Sequence, residues 1–248
     1  MRKVLIGMVV MSVIALASCH KPQNTQGSLT LKINPMFGSN NFALQQYFTT
    51  PDGKYYNFFE YKFYLSHIKL IHSDGSMVEV APVAYFSSDD SRTWNISLTN
   101  ILGNYTGIQF NIGLDPAQDT TIGNTTDSTS PFWANNFTYW GTSALEYVFV
   151  AVSGNLDTMV NQPTTFPFIY HIGTQPFYSV GNTLTKNFST SLNSQTVLTM
   201  NADLEKVFYN AADTGVINVI KYPVTHSTDS VTLAHTFISY FPKVFSLQ

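Results

Sequence analysis

A single cysteine stands in 248 residues, at position 19. No intrachain disulfide can form, and no cysteine pair is present to hold zinc or carry redox chemistry. Charged side chains are almost as scarce, at 11% of the chain with a net charge of -3. A basic footprint and a polybasic membrane patch are both missing, so no nucleic-acid partner is expected. The usual sequence contexts of catalysis are lacking too. There is no Gly-x-Ser-x-Gly around a nucleophile, and Gly113, Gly123 and Gly141 stand alone rather than in a phosphate-binding loop. Glu60, Asp115 and Glu146 sit in no context that marks a catalytic carboxylate. The chain is therefore expected not to be an enzyme.

What is there begins with an address. Met1-Arg2-Lys3 supplies a positive segment, Val4 through Ala15 an uncharged apolar run, and Leu16-Ala17-Ser18-Cys19 a small-residue cleavage site with cysteine at its end. That pattern is a bacterial lipoprotein signal. A permanent transmembrane helix needs about 20 apolar residues, more than this run offers. Residues 1–18 are expected to be removed, Cys19 to be acylated, and residues 19–28, which include Pro22 and Gly27, to form a lipidated linker. Residues 29–248 are expected to form one domain. The protein is placed in the cell envelope, held to a membrane by lipid at Cys19. The expected face is the periplasmic side of the outer membrane, with cell-surface exposure as the alternative.

From Leu29 onward Phe, Tyr, Val, Ile and Thr are punctuated at short intervals by Asn, Gly, Asp and Ser. This is the composition of many short strands, and the expected class is mostly β. Strands are expected at 28–34, 59–72, 76–83, 107–114, 145–154, 166–172 and 196–200. In the second of these, Tyr61, Phe63, Leu65, His67 and Ile71 alternate with Tyr64, Ser66, Ile68, Leu70 and His72. Both faces are largely apolar, as in a central strand. Ser73-Asp74-Gly75-Ser76 and Pro51-Asp52-Gly53-Lys54 read as turns. Short helices are expected at 201–208 and 229–240, and a long surface loop at 119–130. Five Asn-x-Ser/Thr sequons, at Asn95, Asn104, Asn124, Asn136 and Asn187, are chance matches in a chain so rich in Asn, Ser and Thr.

Histidine carries most of the remaining chemical signal, because imidazole is the commonest protein ligand for copper and zinc. His20 lies in the linker. His67 and His72 fall on opposite faces of one strand, and His226 and His235 are nine apart, not the three or four of a helical chelating pair. For these four a surface or structural role is the competing reading. His171 differs, because it closes the apolar strand Phe166-Pro167-Phe168-Ile169-Tyr170 and can present its imidazole at a rim. Five large aromatics also crowd into 132–140: Phe132, Trp133, Phe137, Tyr139 and Trp140. They read either as loop anchors or as a stacking surface.

In order along the chain these segments resemble the MbnP-like family, named for a periplasmic copper-binding protein associated with methanobactin. The resemblance rests on Phe63-Tyr64-Leu65-Ser66-His67-Ile68-Lys69-Leu70 followed by Asp74-Gly75, and on Gly107 through Leu114. It continues with Tyr139-Trp140-Gly141, Glu146 through Val150 and Ser153-Gly154. His171-Ile172-Gly173 and the tail from Asp203-Leu204 through His226 to Phe245 complete it. It implies a Greek-key antiparallel β-sandwich with a short C-terminal helix. It also implies copper held by histidines beside a tryptophan oxidised to kynurenine by a di-haem peroxidase partner. Carried over by residue, His171 is the expected ligand and Trp140 the oxidised, site-lining aromatic, with His67 and His226 as further candidate metal ligands. The competing function is a metal-free binding or adhesion module, recognising carbohydrate or a partner protein through the aromatic loop around Trp133 and Trp140. With the only thiol committed to lipid, a metal site must draw on histidine, methionine, carboxylate or a modified aromatic.

Overall fold

The structure, a computed structural model, describes residues 27–136, 138, 147–158, 165–209 and 217–248. The predicted signal peptide, Cys19 and Trp140 lie outside them. The strands in chain order are β1 (Ser28–Phe37), β2 (Asn40–Asn41), β3 (Tyr47–Thr49), β4 (Tyr55–His72), β5 (Met77–Ser87), β6 (Asn95–Thr99) and β7 (Gly103–Ile112). They continue with β8 (Val148–Asp157), β9 (Thr165–Gly173), β10 (Ser179–Thr190), β11 (Gln195–Asp203), β12 (Val224–Thr225) and β13 (Phe245–Leu247). Among the described residues there are three short α-helices, α1 (Pro116–Asp119), α2 (Glu205–Phe208) and α3 (Val231–Tyr240).

The architecture is a β-sandwich of two sheets. One sheet runs β13-β11-β1-β2 with β6 also on β1, and the other runs β10-β7-β4-β8-β9-β12 with β3 and β5 also on β4. The mostly β sandwich is the expected one, and within it most pairings are antiparallel while each sheet also holds one parallel pair. β1 pairs β11 in parallel from Ser28↔Gln195 to Met36↔Asp203, and β12 pairs β9 in parallel. Such partners cannot be joined by a hairpin, so no local turn signal announces them.

β4 is the spine. Its 18 residues pair with β3, β5, β7 and β8. Strict alternation would send Ile68 and Leu70 to the face opposite Leu65, but all three lie in one core cluster with Tyr56, Phe58, Tyr61 and Phe63. Two bulges account for this. The register against β8 shifts between Phe58 and Glu60, leaving Phe59 exposed, and the register against β7 shifts between Ser66 and Lys69, around His67 at φ 48°. Each bulge inserts one residue and restores the apolar face to the interior. The Asp-Gly turn expected at 73–76 joins β4 to β5 with Gly75 at φ 85°, and Pro51 to Lys54 joins β3 to β4.

The main core lies between the sheets and is strongly aromatic. Phe63 packs its ring 4.5 Å from Phe86, 5.4 Å from Phe245 and 5.8 Å from Phe241, the last two delivered by the chain following α3. α3 buries Leu233, Ala234, Phe237 and Ile238 and covers most of the helix expected at 229–240. Of the helix expected at 201–208 only α2 exists, because Asn201 to Asp203 extend β11 alongside β1. β10 was not anticipated, since Ser, Thr and Asn dominate both of its faces and only Leu184 and Phe188 pack on the core.

A smaller cluster, Tyr64, Tyr85, Leu114, Tyr147 and Phe149, lies apart from that core. The long excursion after β7 roofs it. Phe132 packs on Tyr64 and Tyr147, and the Tyr64 hydroxyl bonds Pro131 O and Thr138 Oγ1, both at 2.9 Å. Truncation of Phe63 to alanine is expected to lower stability by about 3–5 kcal/mol, from lost burial plus the cavity left behind. The exposed control Val180→Ala is expected to stay within about 0.5 kcal/mol. Equilibrium denaturant unfolding measures both, and equal midpoints would contradict the assigned core.

Candidate metal centre

Strand register builds the site. β9 and β12 pair in parallel with Ile169↔Val224 and Tyr170↔Thr225, so the next step along both strands places His171 beside His226. Phe168, Tyr170 and Ile172 turn into the core, and alternation sends His171 outward. The two imidazole rings meet edge-on, with centroids 5.3 Å apart and planes at 82°. Ser227, at φ 66°, fastens the second histidine's segment to β9. Its hydroxyl donates to His171 O (3.2 Å) and accepts from Gly173 N–H (2.8 Å). Gly173 is needed where it stands, because a Cβ there would fall 2.4 Å from Tyr147 O. This is the physical content of the His-Ile-Gly segment.

Each imidazole is held from behind by a carboxylate. His171 Nε2 lies 3.0 Å from Glu60 Oε2, and His226 Nδ1 lies 3.0 Å from Asp229 Oδ2. Glu60 reaches from β4 across the small Ala151 of β8, which is paired with Lys62 on one side and His171 on the other. The Lys62 ammonium completes the arrangement, 3.1 Å from Glu60 Oε1 and donating to Asn136 O at 3.4 Å. Burial pushes the Glu60 carboxyl up, but the hydrogen bond from His171 and the charge of Lys62 more than offset it and hold the group below its ordinary value. Asp229 is likewise lowered against its partial burial by bonds from the His226 N–H, the His226 ring and Thr225. Nδ1 of His171 and Nε2 of His226 carry no hydrogen bond among the described residues. A carboxylate behind a histidine fixes the ring and its tautomer and raises the basicity of the opposite nitrogen.

Two imidazoles with one open nitrogen each suit a soft or borderline metal such as copper. Among the described residues no group of three or more His, Cys, Asp or Glu side chains is placed to hold a metal ion.

The other expected ligand, His67, is not brought to this pair. It lies about 16 Å from Lys62 along β4, at roughly 3.3 Å per residue. Both of its nitrogens are engaged, Nδ1 with Glu79 Oε2 at 3.0 Å and Nε2 with Asp115 Oδ2 at 2.7 Å. Asp115 also N-caps α1 in a capping box. His67 is thus a clip joining β4, β5 and the start of the long excursion. Despite the bulge, His72 does not approach it, since the His72 ring packs against Tyr105 at 4.7 Å. His235 packs on Phe177 at 4.8 Å. Trp133 lines a polar cleft of about 420 Å³ with Lys62, Tyr85 and Arg92, next to the Glu60–His171 pair.

Sequence reasoning passed over Glu60, Lys62 and Asp229. The first two had a usable signal: a Glu-x-Lys pair inside a largely apolar central strand is an anomaly, because charged residues are seldom buried unless paired. Asp229 follows His226 by three residues with nothing in composition to single it out.

A family model described as MbnP matches residues 26–226. No curated protein matches the chain. Among solved structures, MbnP from Methylosinus trichosporium is similar in fold, with a TM-score of 0.53 at 11% identity over 90% of this chain and 98% of that one.

The clip at His67 makes stability depend on pH. Hydrogen bonds that the ring donates to Asp115 and then to Glu79 raise the His67 pKa above its ordinary value of 6.5, outweighing the effect of burial. A raised histidine pKa contributes stability that is fully present below 6.5 and is lost as pH rises through the raised value. Thermal melting from pH 6 upward is expected to show this loss in the wild type and a flatter profile in His67→Asn. Asparagine tolerates the positive φ while removing the charge. Parallel profiles would show that the clip contributes nothing.

Proposed function

The chain belongs to the MbnP family, and on that premise we propose that it is an extracytoplasmic, membrane-tethered protein that binds copper through His171 and His226. The observation that carries this reading is the edge-on pair itself. Two imidazoles on adjacent parallel strands, each braced by its own carboxylate, present one open nitrogen apiece. Copper bound there supplies a redox-active cation held for storage or transfer. The residues of this chain do the rest: Glu60 and Asp229 orient the rings, Lys62 balances the charge of Glu60, and Ser227 keeps β12 in register with β9.

The role is binding rather than turnover, in keeping with the absence of a catalytic constellation in the sequence. Trp140 remains the residue proposed for oxidation by a di-haem peroxidase-like partner, and as a lining group near the metal. Cys19 is proposed as the lipid attachment point, with the domain facing the periplasm. The metal-free alternative has one observation in its favour, the cleft lined by Trp133. In that reading Trp133→Ala abolishes binding of a sugar or protein ligand, and chelator has no effect.

Titration of the purified domain with Cu(I) and Cu(II) under a competing chelator tests the main reading. His171→Ala and His226→Ala are each expected to weaken binding severely, and Glu60→Gln by about 10- to 100-fold, as for a residue that braces a ligand. His67→Asn is expected to leave affinity unchanged. Unaltered affinity in both alanine variants would remove the pair from consideration.

A further inference from the structure

Gly27 opens the described domain, and two loops clamp it there. Ile101 N–H donates to the Gly27 carbonyl at 3.1 Å, and Ser28 N–H to Ser194 O at 3.2 Å. A Cβ on Gly27 would fall 2.5 Å from Leu102 Cδ2 and 3.1 Å from Ser191 O, so both loops touch the chain where the domain begins. Next to these contacts stand two exposed leucines, Leu102 at 44% and Leu192 at 57%. The loops are tight, with Asn100, Gly103 and Asn193 at φ 61°, 135° and 60°. They are also uncharged, since no Asp, Glu, Lys or Arg occurs from Asn95 to Leu114 or from Asn187 to Ala202.

We propose that this tip is a membrane-docking surface, Leu102 and Leu192 entering the acyl boundary of the phospholipid bilayer to which the chain is anchored. The proposal rests on the lipid-anchor reading of Cys19. That residue precedes Gly27 by eight positions, so a fully extended linker keeps the tip within about 29 Å of the lipid. Uncharged loops with leucine at their apex enter an interface without desolvating charge, and the buried leucine surface favours contact. The neighbouring turn after β4 brings one acid, Asp74, whose carboxylate is occupied by Ser76 N–H and Oγ at 2.9 and 2.6 Å.

The consequence for the proposed metal site is directional. β4 runs from Lys62, beside the histidine pair, to His72, whose ring packs against Tyr105 just beyond the Leu102 loop. Ten residues of strand separate them, about 33 Å. With the tip on the bilayer, His171 and His226 stand well clear of the membrane and face the aqueous compartment.

The sole native thiol is the one expected to be acylated, so one introduced cysteine can be labelled alone. Leu102→Cys and Leu192→Cys are prepared in the full lipidated chain, with Val180→Cys as control. Val180 is 66% exposed and lies about 33 Å along β10 from the Leu192 loop. Each is labelled with an environment-sensitive fluorophore and reconstituted into phosphatidylcholine–phosphatidylethanolamine vesicles. The expected result is a blue shift at 102 and 192, quenched by spin-labelled lipid, and neither effect at 180. Three indistinguishable spectra on a chain whose intact mass shows acylated Cys19 overturn the docking and leave the anchor standing. A blue shift that grows with protein density and resists the lipid quencher assigns the tip to contacts between copies and likewise overturns it. An intact mass without acyl groups on Cys19 overturns the anchor, and the docking with it.

Discussion

β4 has to remain continuous through the middle of one sheet while serving four partner strands, and most of the molecule is arranged around that requirement. Its inward residues, from Tyr56 to Leu70, supply the central run of the core against which Phe86, Phe241 and Phe245 pack. Eighteen residues of unbroken alternation over-twist and drift out of phase with a curved neighbour, and the two bulges correct the phase. Each correction leaves a chemical consequence on the outer face. The one at Phe59 precedes Glu60, which reaches His171 on β9, and Lys62, which pairs with Glu60, and the one at His67 aims an imidazole at two carboxylates.

The histidines show how far environment outweighs identity. His171 and His226 each give one nitrogen to a carboxylate and, among the described residues, leave the other without a hydrogen bond, the arrangement on which the proposed copper site rests. His67 gives both nitrogens away and becomes a fastener. His72 and His235 lie against aromatic rings and act as packing groups. The aromatic block after Pro131 divides in the same manner. Phe132 anchors the roof of the smaller cluster, whereas Trp133 faces a polar cleft.

Strands with strong apolar alternation were legible, and the chain pairs β1, β4, β5, β7, β8, β9 and β11 close to where Phe, Ile, Val and Tyr concentrate. β10 was not, because its position at a sheet edge needs few apolar residues and its Ser and Thr look like loop. The end of β11 reads as helix from its cap-like Asn201-Ala202-Asp203, and only pairing with β1 overrides that composition. His171 was legible as a strand-end imidazole. Its partnership with His226 was not, because β12 is two residues long and carries no periodicity of its own.

Local chemistry therefore determined the parts of this protein that depend on neighbours in sequence, the Asp-Gly and Pro-Asp-Gly turns and the β class itself, and it is the sole basis of the acylation proposed at Cys19. Membership of the MbnP family was also readable, from short motifs recurring in order. Tertiary structure alone decided what depends on register between distant segments. Parallel pairing of β9 with β12 sets His226 beside His171, and two inserted residues in β4 settle which side chains face the core and which face the site. A shift of one residue in either strand sends these groups to the opposite face. That sensitivity to register is why the candidate metal centre could not be assembled from spacing.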